Sequence, residues 1–195
     1  MPATIALMRK LFLAFTVGAL AVLAMRGAAY CQAQSEKNSP QKESAPDVPD
    51  AIQAPTGENV VFFTHASGSQ IYTCQAVADG RFSWTLKAPD AELRDRNDKV
   101  IGQHSAGPTW KLKDGSEVTG KAAAKVDSLD GDSIPWLLVK VVNHAGKGAL
   151  SNITTIQRVH THGGQPPKEG CDAAHRDTEA KSSYTADYYF YAPAN

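Results

Sequence analysis

The chain has 195 residues, with 20 basic and 20 acidic side chains and a formal net charge of zero. Hydrophobic residues make up 42% of the sequence and charged residues 21%, which is ordinary globular usage. This composition excludes a wholly disordered chain, a collagen-like repeat and a multi-pass membrane protein, and the lack of a basic excess argues against a nucleic-acid partner. The length suits one domain with a real hydrophobic core.

The first segment is organised like an export signal. Arg9 and Lys10 precede an uncharged apolar run over residues 11–25, and small residues follow that run. This arrangement predicts a cleaved signal peptide over residues 1–33, and hence a secreted or periplasmic protein. A membrane-spanning helix needs about 20 apolar residues, so we expect no stable membrane span after cleavage.

Alternatives remain at this end of the chain. Small residues allow cleavage after Ala29 as well as after Ala33, and a lipoprotein anchor on Cys31 is the weaker alternative because the bulky Tyr30 precedes it. Removal of residues 1–33 takes away three basic residues and no acid, which leaves 17 basic and 20 acidic residues and a net charge of −3. The exported protein is therefore expected to be mildly acidic.

Residues 34–47 are rich in Ser, Lys, Glu and Pro and contain almost no apolar side chain. Such a composition cannot offset the entropy lost on ordering, so a disordered linker is predicted here. A single all-β domain is predicted to follow over residues 48–192.

The body of the chain shows the period of two that β-strands require. In the last such segment, residues 184–191, alternation places Tyr184, Ala186, Tyr188 and Phe190 on one face. Alternating, β-branched or aromatic segments recur along the body, at residues 59–65, 70–77, 82–87, 109–113, 118–126, 136–142 and 153–160.

Turn-forming pairs such as Ser67-Gly68 and Asp114-Gly115 separate these segments. No amphipathic helix of a dozen residues is evident. Short strands at this spacing predict an all-β fold, an antiparallel β-sandwich or barrel-like domain of about nine to ten strands.

Cysteine positions suggest a covalent link. Cys31 lies in the signal region, which leaves Cys74 and Cys171 in the body. Two cysteines in an exported protein favour a disulfide, and a free thiol at one site is the alternative. A bridge across 97 positions would stabilise the fold by about 4–5 kcal/mol in the chain-entropy model.

Short motifs throughout the body carry a family resemblance. They include Gln70-Ile71-Tyr72-x-Cys74, Gly107-Pro108-Thr109-Trp110, Ile134-Pro135-Trp136, Gly163-Gly164-x-x-Pro167, Gly170-Cys171-Asp172 and Tyr188-Tyr189-Phe190-Tyr191. With them, residues 48–191 resemble the exported bacterial and fungal proteins of domain-of-unknown-function family 3455. The resemblance implies an exported single domain, without any established activity, substrate or catalytic residue. Both Cys74 and Cys171 fall within its motifs, which fits a disulfide pair.

Aromatic residues are the candidates for ligand binding. His104 and Trp110 flank a rigid Gly-Pro turn, and Tyr189 and Tyr191 lie on the second face of the last strand. Such side chains would line a groove for a small molecule, a glycan or a protein. Core packing is the alternative, because aromatic residues are more often buried.

Three histidines are weak candidates for a metal site. His160 and His162 would share one face of a strand, with His175 nearby in sequence, and imidazole suits Zn or Cu. Cys171 would complete the site only as a free thiolate, which contradicts the disulfide. The His160-Thr161-His162 segment also departs from the family pattern, so we predict no metal and no cofactor.

Two further motifs carry little weight. Gly146-Lys147-Gly148 follows an apolar strand, but Ser151 replaces the third small residue of a dinucleotide-binding loop and β-rich sequence follows, so an NAD-dependent dehydrogenase is rejected. Asn152-Ile153-Thr154 is an N-glycosylation acceptor only in a eukaryotic host.

The preferred hypothesis is a non-enzymatic exported β domain that binds an envelope or extracellular ligand. One alternative is a secreted hydrolase or metal-dependent enzyme that uses residues 160–175, including a Cys–His nucleophile pair. The other alternative is a protein-binding or inhibitor module.

Overall fold

The computed structural model describes residues 43–194. The predicted signal peptide, Cys31 and the predicted linker up to residue 42 lie outside the described residues. The residues from Glu43 onward form one compact unit. In this part of the chain, no helix has the length and apolar character needed to cross a membrane.

Eight antiparallel strands close into a barrel in which each strand pairs with its neighbours in sequence and β8 pairs with β1. The strands are β1 Glu58–Ala76, β2 Phe82–Arg94, β3 Val100–Ser105, β4 Thr109–Leu112, β5 Glu117–Val126, β6 Trp136–Ala145, β7 Thr155–Gly163 and β8 Glu179–Pro193. Short 3-10 turns occur at Asp50–Ile52, Ala78–Gly80 and Ala173–His175. The predicted all-β, antiparallel, barrel-like fold is confirmed, with eight strands where nine to ten are predicted.

The turn predicted at Ser67-Gly68 is wrong, because β1 runs through it and joins two of the predicted segments. Gly68 pairs with Ala91 on one side and Tyr184 on the other. A Cβ atom at Gly68 would lie 2.2 Å from the Asp90 carbonyl oxygen. This glycine therefore permits the close approach of two strands.

A bulge in β5 changes the faces predicted for that strand. Ala122 pairs with Val139, whereas Ala124 pairs with Leu138, so one extra residue lies between them. Alternation continued from Val118 through Gly120 and Ala122 predicts that Ala124 and Val126 face inward, but they pack on the outside of the barrel. A bulge shifts the alternation by one residue, which moves all later side chains to the opposite face.

The barrel interior is the main hydrophobic core. Strand β8 supplies Tyr184, Ala186, Tyr188 and Phe190, as the alternation predicts. The other buried members are Ala66, Ala91, Leu93, Trp110, Leu112, Val118, Ile134, Val139, Val141, Leu150, Ile153 and Ile156. An eight-stranded barrel is just wide enough for side chains to fill it or for one small ligand to fit.

A second apolar cluster lies on the outer face and comprises Ile52, Val60, Phe63, Trp136, Val159, Tyr189 and Tyr191. The segment before β1, residues 43–57, covers this cluster, and we call it the strap. Ile52 of the strap is fully buried, and its carbonyl oxygen accepts a 2.7 Å hydrogen bond from Gln157 Nε2. Glu43 pairs with Arg96 at 2.6 Å, and the Arg96 guanidinium lies 3.6 Å from the centre of the Phe63 ring.

Candidate functional site

The barrel interior contains an open cavity of about 390 Å³. All eight strands contribute inward-facing residues to its wall because closure of the sheet brings distant strands around one space. The wall consists of Gln70, Leu86, Lys87, Ala88, Pro89, His104, Gly107, Pro108, Trp110, Ala122, Leu137, Val139, Arg158 and Tyr188. Most of these side chains are apolar or aromatic, and a few are polar, which is typical of small-molecule sites.

His104 and Trp110, two of the predicted ligand-binding residues, lie together in this wall. They are partners across the β3–β4 hairpin, and their rings stack with centroids 4.4 Å apart and planes 18° apart. His104 Nδ1 lies 2.9 Å from the Thr109 carbonyl oxygen. Since a carbonyl oxygen can only accept, Nδ1 donates the proton and Nε2 is an acceptor.

The environment of His104 keeps its imidazole neutral. Burial lowers the pKa of His104 to about 3, the hydrogen bond to Thr109 opposes that shift, and the positive charge of Arg158 adds to it. At neutral pH this ring therefore supplies an apolar face and one acceptor nitrogen.

Several buried polar atoms among the described residues have no hydrogen-bond partner. Three belong to residues of the cavity wall: Gln70 Nε2, Trp110 Nε1 and the Tyr188 hydroxyl oxygen. The Tyr184 hydroxyl is also unpartnered; it and the Tyr188 hydroxyl influence each other's pKa without forming a hydrogen bond of ordinary geometry. An unsatisfied buried group costs about 1–3 kcal/mol, and because these atoms expose almost no surface to the cavity, that cost belongs to the packing behind the wall.

Burial also makes ionisation of the two tyrosines less favourable. It raises the pKa of Tyr188, with the positive charge of Arg158 opposing the shift. Burial raises the pKa of Tyr184 well above its usual range, an effect that Tyr188 reinforces. Both hydroxyls therefore carry their protons at physiological pH.

Arg158 is the charged residue that β7 places on the inward face, where it pairs with Leu137 of β6 and Tyr188 of β8. Its Nε and Nη2 atoms donate to the Pro135 carbonyl oxygen at 3.2 and 2.7 Å. Within residues 43–194, Arg158 forms no salt bridge. The guanidinium thus faces the cavity without a compensating carboxylate.

Sequence reasoning missed Gln70, Arg158 and Tyr188 as site residues. The available signal was a polar side chain at an inward position of the alternation. Arg158 follows Ile156 by two residues on the inward face of β7, where an apolar residue is expected. A charge at such a position marks either a buried pair or a site.

Tyr189 and Tyr191, the other two predicted ligand-binding residues, lie in the outer cluster and not in the cavity wall. They are 8% and 2% exposed, respectively. Tyr189 and Phe63 pack with their rings edge to face, and the Tyr191 hydroxyl donates to Gln157 Oε1. The structure therefore brings only His104 and Trp110 of the four predicted residues into one site.

The candidate metal-binding histidines are each paired with a carboxylate: His160 with Asp187 at 3.0 Å, His162 with Asp130 at 3.9 Å and His175 with Asp172 at 2.8 Å. A second histidine, His65, contacts the other oxygen of Asp187 at 2.8 Å. Between residues 43 and 194, no group of three or more His, Cys, Asp or Glu side chains is placed to hold a metal ion.

Cys74 and Cys171 are joined by a disulfide. It ties the segment between β7 and β8 to the end of β1, where the Cys74 amide donates to Thr178 and its carbonyl oxygen accepts from Asp177. The Trp84 indole donates to the Glu169 carbonyl oxygen at 2.9 Å and holds the same segment. Cys171 is therefore bonded to sulfur and is not a free thiol beside His175.

The glycine pair Gly146 and Gly148 lies between β6 and β7, and the next regular element is a strand. The Asp114 carboxylate accepts a hydrogen bond from the Ala149 amide at 2.8 Å and anchors this loop to the β4–β5 turn. Asn152, the potential glycosylation acceptor, is exposed in the same connection.

The fold and the cavity define a class: a disulfide-linked, eight-stranded antiparallel barrel with an open cavity in its interior. The chain belongs to the family described as "Protein of unknown function (DUF3455)", whose model matches residues 55–192. The resemblance found in the sequence is thereby confirmed. No curated protein and no solved structure matches the chain.

Proposed function

We propose that this domain is an exported, non-enzymatic binding protein that takes a small molecule into the cavity of its barrel. The observation that carries the proposal is the open cavity of about 390 Å³ itself, whose wall is mostly apolar and aromatic and includes the polar side chains of Gln70, His104 and Arg158. A wall of this composition is typical of small-molecule sites, where apolar surface supplies affinity and a few polar groups fix the orientation of the ligand. The predicted signal peptide would bring the domain to a secreted or periplasmic ligand.

The dimensions of the cavity support a compact ligand. Its volume of about 390 Å³ falls near the lower end of the 300–1,000 Å³ that is usual for small-molecule pockets. The aliphatic side chains of Leu137 and Val139 and the ring of Pro108 form much of the wall. Each 100 Å² of apolar surface that a ligand covers there contributes roughly 2.5 kcal/mol before the cost of immobilisation.

The state of His104 favours binding over acid–base catalysis. A general acid or base works best with a pKa near the operating pH, whereas burial lowers the pKa of His104 to about 3. Its Nδ1 is also committed to the Thr109 carbonyl oxygen. The histidine therefore suits the role of a fixed, neutral wall residue.

The test is a titration of the protein with a panel of small organic acids, amides and sugars. The indole N–H signals in NMR spectra report binding at each step of the titration. Trp110 lies in the cavity wall, whereas Trp84 donates to Glu169 and Trp136 lies in the outer cluster. We expect a ligand to shift the Trp110 indole signal and to leave the other two unchanged.

A cavity-filling variant supplies the matched comparison. Ala122→Leu places extra carbons at the wall of the cavity, and Ala123→Leu makes the same change at the adjacent alanine, which is not in the wall; both alanines are exposed. Ala122→Leu should abolish the Trp110 shift, and Ala123→Leu should retain it. A panel that leaves Trp110 unmoved, or binding that survives Ala122→Leu, would contradict the proposal.

A further inference from the structure

We propose that the ligand of this cavity is an organic acid, whose carboxylate pairs with Arg158 while its apolar body lies against Trp110 and the aliphatic wall. This inference rests on the proposed function and goes further, because it assigns the ligand a charge and a chemical class.

The first step concerns the charge of Arg158. Its Nε and Nη2 atoms share one carbonyl oxygen, that of Pro135, and within residues 43–194 the guanidinium makes no other hydrogen bond of ordinary geometry, although it lies near enough to the Tyr188 hydroxyl to oppose the rise that burial causes in the pKa of that group. A neutral acceptor does not compensate a partly buried guanidinium, and an unpaired charge in a barrel interior is costly. A carboxylate is the group whose planar geometry matches the guanidinium, with charge-assisted hydrogen bonds.

The second step concerns the other titratable groups around Arg158. The cavity wall contains no Asp or Glu within the described residues, and its other cationic side chain, Lys87, pairs with Glu179. Positive charge on Arg158 lowers the pKa of His104 in addition to the effect of burial. The interior is therefore electropositive, and an anion would enter a favourable field.

The third step distinguishes an organic acid from an inorganic oxyanion. Leu137, Val139 and the stacked rings of His104 and Trp110 surround the remaining space with apolar surface. Phosphate or sulfate would place charged oxygens against that surface, where they would lack partners. A carboxylate attached to an aromatic or aliphatic body satisfies both parts of the wall.

The experiment uses trans-cinnamate and its neutral amide, cinnamamide, as probes of the same shape. Each is titrated into the full chain, and the Trp110 indole signal and calorimetry report binding. Cinnamate should bind at least about tenfold more tightly than cinnamamide, the factor expected for one charge-assisted contact. Inorganic phosphate at the same concentration should leave the Trp110 signal unchanged.

Variants assign the preference to one residue. Arg158→Gln should remove most of the advantage of cinnamate and leave cinnamamide binding nearly unchanged. Arg158→Lys keeps the charge and should retain a preference for the acid. This variant is the one to measure if Arg158→Gln does not fold. Lys140→Gln removes a cation at an exposed position of β6 outside the cavity wall and should leave the ratio of the two affinities intact.

The two proposals fail in different ways. Equal binding of cinnamate and cinnamamide, or an unchanged ratio in folded Arg158→Gln, would overturn the organic-acid inference and leave small-molecule binding standing. Phosphate binding as tight as that of cinnamate would overturn the requirement for an apolar body. Failure of both organic probes to shift Trp110 at about 1 mM would overturn the inference and count against the proposed function.

Discussion

His104 connects the cavity to the stability of the fold. Its ring is buried between Trp110 and Tyr188, with the Nδ1 proton donated to Thr109. The ordinary pKa of histidine is about 6.5, and burial lowers the pKa of His104 to about 3 in the folded protein. As the pH falls below 6.5, the unfolded chain therefore binds a proton that the folded chain excludes, and the free energy of unfolding decreases.

The change His104→Gln tests this linkage. The wild type should lose stability between pH 6.5 and pH 4.5 at a rate that approaches roughly 1.4 kcal/mol per pH unit from this group alone. The glutamine variant lacks this titration, so the stability difference between the two proteins should change steadily with falling pH, to the disadvantage of the wild type. Urea unfolding of both proteins at several pH values measures this difference in stability. Stability profiles that run parallel over the pH range would contradict the linkage to His104.

The exposed carboxylate of Asp130 affects the stability of the fold in a lower pH range than His104 does. Hydrogen bonds from the Ser133 and Ser128 hydroxyls lower the pKa of Asp130 to about 2. A carboxylate with a lowered pKa loses its stabilising effect only below about 3.8, as the pH falls toward the folded value. Measurements above pH 4.5 therefore separate the histidine from Asp130.

At the scale of the strand, Gly68 determines how closely β1 can approach β2. A Cβ atom there would lie 2.2 Å from the Asp90 carbonyl oxygen and 2.5 Å from Ala91 Cα, both backbone atoms that no rotamer change can move. The β1 backbone at Gly68 does not have a positive φ. The glycine is required for space, and its conformational freedom is not the reason.

Gly68→Ala should therefore destabilise the protein, by about 1–3 kcal/mol, which is usual for overpacking. The sign of the stability change is informative, because in an unconstrained strand the replacement of glycine by alanine stabilises the protein by about 0.5–1 kcal/mol. Ser67→Ala, at the exposed neighbour, is the control and should alter stability by less than about 0.5 kcal/mol. Urea unfolding measures both variants, and a Gly68→Ala protein as stable as the wild type would refute the close approach as the reason for glycine.

The strands show which parts of the fold the sequence can reveal. The period-two pattern of Tyr184 to Phe190 is local and uninterrupted, so the inward face of β8 is predicted correctly. Strand β3 escapes prediction because Gly102, Gln103 and His104 interrupt any apolar run. The β5 bulge also escapes prediction, since an extra residue is defined only against the partner strand.

The residues of the cavity wall also fall into two groups, those that a local sequence pattern reveals and those that it does not. His104 and Trp110 are predicted because their aromatic rings flank a recognisable turn. Gln70 and Arg158 are not, because their common position depends on the closure of the barrel, which places β1 and β7 around the space that β3 and β4 also line. Closure is a property of long-range pairing, and no local pattern in the sequence contains it.

At the scale of the whole molecule, the same strands serve two separate surfaces. In β8, Tyr188 faces the cavity, whereas Tyr189 and Tyr191 face the outer cluster. The strap covers the outer cluster, chiefly through Ile52, which is fully buried. Because β-strand side chains alternate between faces, a change beneath the strap should affect stability without altering the cavity wall.

Ile52→Ala separates the two surfaces. The change removes buried methyl and methylene groups but keeps the backbone oxygen that accepts from Gln157, so the expected loss is that of a core cavity, about 2–5 kcal/mol in the free energy of unfolding. Val61→Ala, at a side chain that is 51% exposed, is the control and should cost less than about 0.5 kcal/mol. In folded Ile52→Ala protein, cinnamate should still shift the Trp110 indole signal with unchanged affinity. Loss of that shift without unfolding would show that the strap and the cavity are coupled, and the independence of the two faces would have to be abandoned.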